Sequence, residues 1–435
     1  MTHVADEVPL TLEGAPPKTL GVLDQGALWA NLGVSLLGFS GALLLLNPLG
    51  DAPLSLAAAL TATVVGSLIG TAMVGLAAIP GTQTGMPAMA LLRGLFGARV
   101  SYVPTVLNIV QMIGWGAFEL WVIAKAAGAI FGSVPYEVWV IAAGLLTTAL
   151  AIWPLGAVRV LRRYVTIGVI ISMIWFTVYF LTKAPPQTGG SWTAFAPAVD
   201  YVIALSVSWV PLAADFARHS RSSRAAFTGV VGGYTLAQVA CLGLGVYAVA
   251  LAGSGDPMAV FEPFVAAPLG ALFFGILVLR ETDQSFANVY STTVSLQNLM
   301  PRVDRRIISI AIGVLTTGIA LREITSYGAF LGVIGAVFVP MFAVLAVDYF
   351  LLGGRSRWNT AENAPSRWSM LVPWALGFVA YWLTTSTPTV QAWDDLWAPL
   401  RDQIRQPWMN GALGAAVVAA LVTLAIGWRR RAARR

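Results

Sequence analysis

Gln111, Trp115 and Glu119 stand at i, i+4 and i+8 in the apolar stretch Asn108-Ile-Val-Gln-Met-Ile-Gly-Trp-Gly-Ala-Phe-Glu-Leu-Trp121, so on a helix they form one stripe. An amide, an indole and a carboxylate in line suit a flat heteroaromatic ligand. The indole stacks on its ring, and Gln111 or Glu119 hydrogen-bonds its edge. An ionised carboxylate only accepts, which favours rings presenting adjacent N–H donors, as amino-pyrimidines and some purines do. The competing reading is structural: Glu119 paired with Lys125 or Arg280, and Trp115 packed in a core.

A second cluster reads Arg280-Glu-Thr-Asp-Gln-Ser-Phe-Ala-Asn288-Val-Tyr-Ser-Thr-Thr293. A hard cation such as Na⁺ wants oxygen ligands, by the logic that governs Ca²⁺ and Mg²⁺. Thr282, Asp283, Gln284 and Ser285 offer them. Asp283 either binds Na⁺ directly or serves as a protonation site for H⁺ coupling, because carboxylates inside membranes commonly act as proton relays. Arg280 and Glu281 read as a structural or gating pair, or as lying near a helix end. The alternative for the whole cluster is a salt-bridge network that binds no ion.

These residues must be positioned by helices that cross a membrane. Of 435 residues 57% are hydrophobic and 11% charged, against about 25% charged in soluble domains. The apolar residues fall in runs of roughly 20, long enough to cross a ~30 Å hydrocarbon layer. Continuous runs rather than period-two alternation select helices over a closed barrel. About twelve spans are expected, at 27–46, 56–79, 101–131, 137–155, 164–182, 199–217, 226–252, 266–297, 307–321, 325–351, 371–387 and 409–428. Arginines crowd alternate loops: Arg93 and Arg99; Arg159, Arg162 and Arg163; Arg218, Arg221 and Arg224; Arg302, Arg305 and Arg306; Arg355, Arg357 and Arg367; and the closing Trp428-Arg-Arg-Arg-Ala-Ala-Arg-Arg. The other loops carry Asp51, Glu137, Asp256, Glu262, Asp394 and Asp395. The positive-inside rule then puts both termini in the cytoplasm of a bacterial-type inner membrane. The same placement accounts for the net charge of +6 without a nucleic-acid partner. The lipid bilayer is the expected macromolecular environment.

Two spans look interrupted. The first, Asn31-Leu-Gly-Val-Ser-Leu-Leu-Gly-Phe-Ser-Gly41, holds three glycines and two serines. The sixth, Ser206-Val-Ser-Trp-Val-Pro-Leu-Ala-Ala-Asp-Phe216, has Pro211 inside it and Asp215 near its end. They lie five spans apart and run in opposite directions. Broken helices at matching positions of inverted halves point to a transporter's midplane site. Unwound carbonyls of the first would complete the oxygen set of a cation. Alternatively, glycine only permits close packing and proline only kinks.

Four motifs in order resemble the purine–cytosine permease branch of the nucleobase–cation symporter family. They are Gly81-Thr-Gln-Thr-Gly-Met86, Gln111 with Gly114-Trp115, Ala214-Asp-Phe-Ala-Arg218 and Val347-Asp-Tyr-Phe350. The likeness covers roughly residues 20–355. The third and sixth spans are also similar to hydroxymethylpyrimidine transporters, in Asn108 to Trp115 and Ser206 to Leu212. The resemblance implies an all-α integral membrane fold of the LeuT-like kind, a five-plus-five inverted repeat with discontinuous helices one and six and two added C-terminal helices. Its divisions would be a cytoplasmic tail at 1–25, repeats at 26–183 and 198–352, the added helices at 370–428 and a basic tail at 429–435. It implies alternating-access import of a cytosine-like, purine or hydroxymethylpyrimidine substrate with Na⁺ (or H⁺), no cofactor, and a monomeric functional unit. It also implies that Trp115 stacks on the substrate. Glu119 stands where hydantoin-transporting relatives have glutamine. The aromatic that relatives place in span six aligns with Ser206, so Trp209 takes over the stacking and Ser206 or Ser208 bonds the ring edge. Asn288 falls where some relatives use an asparagine on the substrate. The cation would take backbone oxygens around Leu36 to Gly41, including Leu36 and Ser40. Span eight would add Thr282 and Asp283 or Gln284 and Ser285 in place of the relatives' hydroxyl pair.

An enzyme is not expected. Cys241 is the single cysteine, and His3 and His219 lie in polar segments, which leaves no thiolate or histidine metal centre within a span. A channel would show repeated filter residues, and none is present. An amino-acid or other small-molecule cation symporter on the same fold remains the alternative. It would not need the Trp115–Glu119 stripe.

Overall fold

A computed structural model describes residues 17–49, 53–152, 156–183, 189–253, 259–300, 303–322, 324, 326–385, 391–406 and 408–432. His3, Asp51, Asp256, Arg302, most of the N-terminal tail and the end of the basic tail lie outside the described residues, as do the side chains of Arg159, Arg162, Arg163 and Arg305. The first half contains α1 (Val22–Gly33), α2 (Leu36–Leu46), α3 (Leu56–Thr84), α4 (Ala88–Phe96), α5 (Tyr102–Ile130), α6 (Tyr136–Ile152) and α7 (Gly156–Leu181). The second contains α8 (Phe195–Val207), α9 (Ala213–Ala217), α10 (Ser223–Gly229), α11 (Thr235–Ala252), α12 (Glu262–Val265), α13 (Gly270–Leu299), α14 (Arg305–Ala320) and α15 (Tyr327–Ala346). Then follow α16 (Gly354–Arg357), α17 (Leu371–Thr384), α18 (Gln391–Ile404) and α19 (Gly411–Ala432). Extended pairing among the described residues is limited to two isolated bridges, Leu20 with Ser220 and Leu54 with Ser191.

Six helical segments are long and apolar enough to cross a membrane, and the α1–α2 pair, bent by 63°, makes a seventh. Four shorter apolar helices and the long, partly charged α13 bring the candidates among the described residues to the twelve that hydropathy predicts. The break in span one falls at Val34-Ser35, where Ser35 turns extended and its side chain accepts from Leu37 N to cap α2. A serine in that position replaces one helix-terminal partner. Span six is interrupted more gently: α8 stops at Val207, a 3₁₀ turn covers Val210–Leu212 with Pro211 inside it, and α9 resumes at Ala213. Phe195–Ala217 thus remains one continuous crossing, and the two interruptions differ in sharpness.

The packing is reciprocal between the halves. Helix α3 lies along α8, and its counterpart α11 lies along α2; α5 packs on α13, and α6 on α14. These contacts bring α5, α13 and the two interruptions to one centre. The segments Phe195–Ala217 and Tyr327–Leu351 are the most enclosed, each 83% buried, whereas Gly411–Arg429 is 28% buried and forms the periphery. Helix α18, between the last two spans, is an amphipathic helix that the hydropathy does not predict. Its Trp393 meets Trp382 and Phe378 and is flanked by Trp397 of the same helix, and Leu396 and Leu400 are exposed.

Candidate functional site

A cavity opens where the α1–α2 break, α5, the end of α8, α11 and α13 converge. Trp115, Glu119, Ser208, Trp209, Gln284 and Asn288 line it. The structure thereby gathers five of the seven residues that the sequence assigns to the substrate, with Gln284 of the cation set beside them. The other two stand behind the wall. Gln111 is buried, and its Nε2 donates to Asn108 Oδ1 at 3.1 Å and to Ser208 O at 2.9 Å. It ties α5 to the interruption of span six. Ser206 Oγ donates to Gln238 Oε1 at 3.0 Å and to Val202 O at 3.2 Å.

The Trp115 indole is held from behind. Phe330 and Tyr327 of α15 meet it edge-on, at ring-centroid distances of 5.3 and 6.0 Å, in the T-shaped geometry that aromatic pairs favour. Gly114 makes this possible. A Cβ there would stand 2.6 Å from the Phe330 ring, so the glycine of the Gly114-Trp115 pair lets α15 close against the indole. Trp209 is braced edge-on by Trp29 at 6.0 Å and Tyr234 at 6.4 Å. Trp29 is in turn fixed by Gln25 Oε1, which accepts from its Nε1 at 3.1 Å.

Three polar atoms along the stripe are buried without a hydrogen-bond partner, Gln111 Oε1, Trp115 Nε1 and Glu119 Oε2. Buried polar atoms are nearly always paired, so such orphans call for an explanation. Glu119 is joined by a side-chain hydrogen bond to Glu281 and feels the charge of Arg280. A bond between two carboxyl groups needs one proton between them. Both oxygens of Glu281 already accept, from Ser35 Oγ at 2.7 Å and Leu36 N at 3.0 Å. Glu119 Oε2 is left as a buried oxygen without a partner, in a residue that lines the cavity. Lys125, the other partner weighed for Glu119, sits over the Tyr136 ring at 5.0 Å.

The residues assigned to a cation do not converge. Leu36 begins α2, and its N–H is bound to Glu281. Ser40 Oγ donates to Leu36 O at 3.2 Å within the same helix. Thr282 Oγ1 donates to Leu279 O at 2.7 Å, and its side chain lines a different cavity with Phe131 and Trp139. Asp283 is half-buried, within the field of Arg280. Gln284 Nε2 donates to Leu32 O at 2.7 Å and Val34 O at 3.0 Å, holding the break open from α13. Ser285 Oγ is buried without a partner. Arg280 and Glu281 lie mid-helix, not near an end, and each reaches across to span one: Arg280 Nε donates to Asn31 Oδ1 at 2.9 Å and its Nη2 to Asn31 O.

Sequence reasoning missed Gln238 and Tyr234, which line the cavity from span seven. A glutamine alone in an apolar run was the available signal for the first. Tyr234 closes a π-helical turn, Val230–Tyr234, a local irregularity common at functional sites. The other motifs lie away from the cavity, where the ends of spans two, six and ten meet. Thr82 Oγ1 donates to Ala217 O at 2.9 Å, Ala88 N to Asp215 Oδ1 at 2.7 Å, and Tyr349 OH to Gln83 Oε1 at 2.7 Å. A bidentate pair, Arg367 with Asp348 at 2.7 and 3.1 Å, closes this end.

Comparison with known proteins agrees with this geometry. The sequence profile of a family described as permeases for cytosine/purines, uracil, thiamine and allantoin matches residues 47–362. The cytosine permease of Escherichia coli K12 is 22% identical over 323 residues, 71% of this chain and 74% of that protein. A closed, bromovinylhydantoin-bound transporter of the nucleobase-cation-symport-1 family superposes with a TM-score of 0.74 at 16% identity, covering 97% of this chain and 96% of the other. A Na⁺-coupled sialic acid symporter in an outward-open state gives 0.65 at 11% identity, covering 97% and 92%.

Proposed function

The chain belongs to the family of permeases for cytosine/purines, uracil, thiamine and allantoin, and from that premise we propose that it is a symporter importing a nucleobase-like ring with a cation. It works by alternating access across a bacterial inner membrane, with both termini cytoplasmic and one chain as the functional unit. The observation that carries the substrate class is the orphaned buried acceptor Glu119 Oε2 in a cavity that Trp115 also lines. The acceptor and the indole stand on one helix stripe. A flat ring that stacks on Trp115 can present an edge N–H to Glu119 Oε2. Trp209 bounds the cavity as a second aromatic, and Ser208 and Asn288 offer further edge partners. Cytosine, the substrate named for the curated relative, is such a ring. Ser206 then acts by orienting Gln238 rather than by touching the ring.

The cation, Na⁺ or H⁺, is the less specified half of this reading. The test of the ring is equilibrium binding to the purified protein of labelled cytosine, competed by adenine, guanine, hydroxymethylpyrimidine and a panel of amino acids. Displacement by one or more of the rings, and not by the amino acids, is the expected result. Displacement by amino acids alone would replace this reading with an amino-acid carrier on the same fold.

A further inference from the structure

The break between α1 and α2 frees carbonyl groups from helical bonding, and such oxygens are what a hard cation would use. Here side chains of α13 have already taken them. Gln284 Nε2 holds Leu32 O and Val34 O. Arg280 holds both the backbone and the side-chain oxygen of Asn31. Arg280 is 1% exposed, so its charge is fixed inside the protein next to the break. The acidic groups in its field are Glu281, Asp283 and Glu119. A Na⁺ among these carbonyls would have to expel the Gln284 amide and sit beside a guanidinium, where low dielectric makes like charges repel strongly. Of the hydroxyls assigned to its shell, Thr282 and Ser40 are turned back onto their own helices, donating to Leu279 O and Leu36 O, while Ser285 Oγ is buried without a partner. The oxygen set therefore does not fit Na⁺.

We propose that Arg280 is a built-in cation at the break of span one, taking with Gln284 the place that a dissociable Na⁺ would hold, so that no Na⁺ binds there. The guanidinium and the amide fix the unwound carbonyls. The same guanidinium supplies the positive charge that Glu281 would otherwise draw from solution. The inference builds on the transport reading, and its test uses no substrate, so the two can fail separately.

The test is thermal unfolding of the purified, substrate-free protein in NaCl and in choline chloride at equal ionic strength. A bound ion stabilises the state that binds it. For the wild type, midpoints in the two salts are expected to agree within about 1 °C at 150 mM, far below the shift a saturating ion would give. Arg280→Gln leaves the buried acids without their cation and frees the Asn31 oxygens, so this variant is expected to gain a Na⁺-specific rise in its midpoint. A saturable Na⁺-specific stabilisation of the wild type would overturn the proposal. So would an Arg280→Gln protein that folds and stays indifferent to Na⁺. Should that variant fail to fold, the wild-type comparison decides alone.

Discussion

Replacing Glu119 by glutamine and by leucine separates a ligand contact from a structural carboxyl. A hydrogen bond joins the side chains at positions 119 and 281, and Glu119 Oε2 is buried without a partner in a residue that lines the cavity. A glutamine reproduces both halves: its Nε2 donates to Glu281 and its Oε1 meets the ligand. Glu119→Gln is therefore expected to keep the affinity for cytosine within about threefold, a change under 1 kcal/mol. Leucine fills the space but offers no acceptor, so the N–H of a bound ring is buried without a partner. That costs about 1–3 kcal/mol, or about 5- to 150-fold in Kd. The assay is equilibrium binding of cytosine and of pyrimidin-2-one, the same ring without the amino group. In the wild type the amino ring should bind more tightly, and in Glu119→Leu the two should converge. Equal weakening of both rings by Glu119→Leu, or a glutamine variant that behaves like the leucine one, would refute the reasoning.

Trp115→Ala removes a stacking face worth about 1–3 kcal/mol per base on other aromatic platforms, so ring affinity should fall about 5- to 150-fold, with Trp115→Phe in between; isothermal titration reads both. Gly81→Val would put a Cβ 2.6 Å from Ala214 Cβ and 2.7 Å from its Cα, and backbone cannot yield as a side-chain tip can. It should cost about 1–3 kcal/mol, seen as a lowered midpoint in detergent. Asp348→Asn weakens the contacts to Arg367 and to Trp358 Nε1, which donates to Asp348 Oδ2 at 2.6 Å; a loss of about 1.5–3 kcal/mol is expected with ligand affinity unchanged.

That the chain is built of apolar helices was legible because hydropathy is a property of contiguous residues. So was the break in span one, where glycine, valine and serine interrupt a leucine-rich run. The Gln111–Trp115–Glu119 stripe was legible as a stripe, yet its division of labour was not. Gln111 turns to Ser208 O of span six, a partner 97 residues away that no periodicity announces. Ser206 and Gln238 likewise depend on how α8 and α11 cross. Arg280 and Glu281 read as a pair because they are neighbours in sequence. In the fold each is drawn to a different part of span one, since the break there exposes carbonyl and N–H groups that need opposite partners. Helix α18 escaped notice because its charged face lowers the mean hydropathy, although its tryptophans pack on the bundle.

The central claim is that the cavity at the two interruptions carries a nucleobase-like ring across the membrane. Exchange in proteoliposomes tests it without any assumption about the driving cation. Vesicles preloaded with unlabelled cytosine, adenine, guanine or hydroxymethylpyrimidine are placed in trace amounts of the same labelled ring. The account predicts saturable accumulation of label for at least one ring, reduced in Trp115→Ala at the same concentration. No saturable exchange of any of these rings by a folded wild-type protein would contradict it.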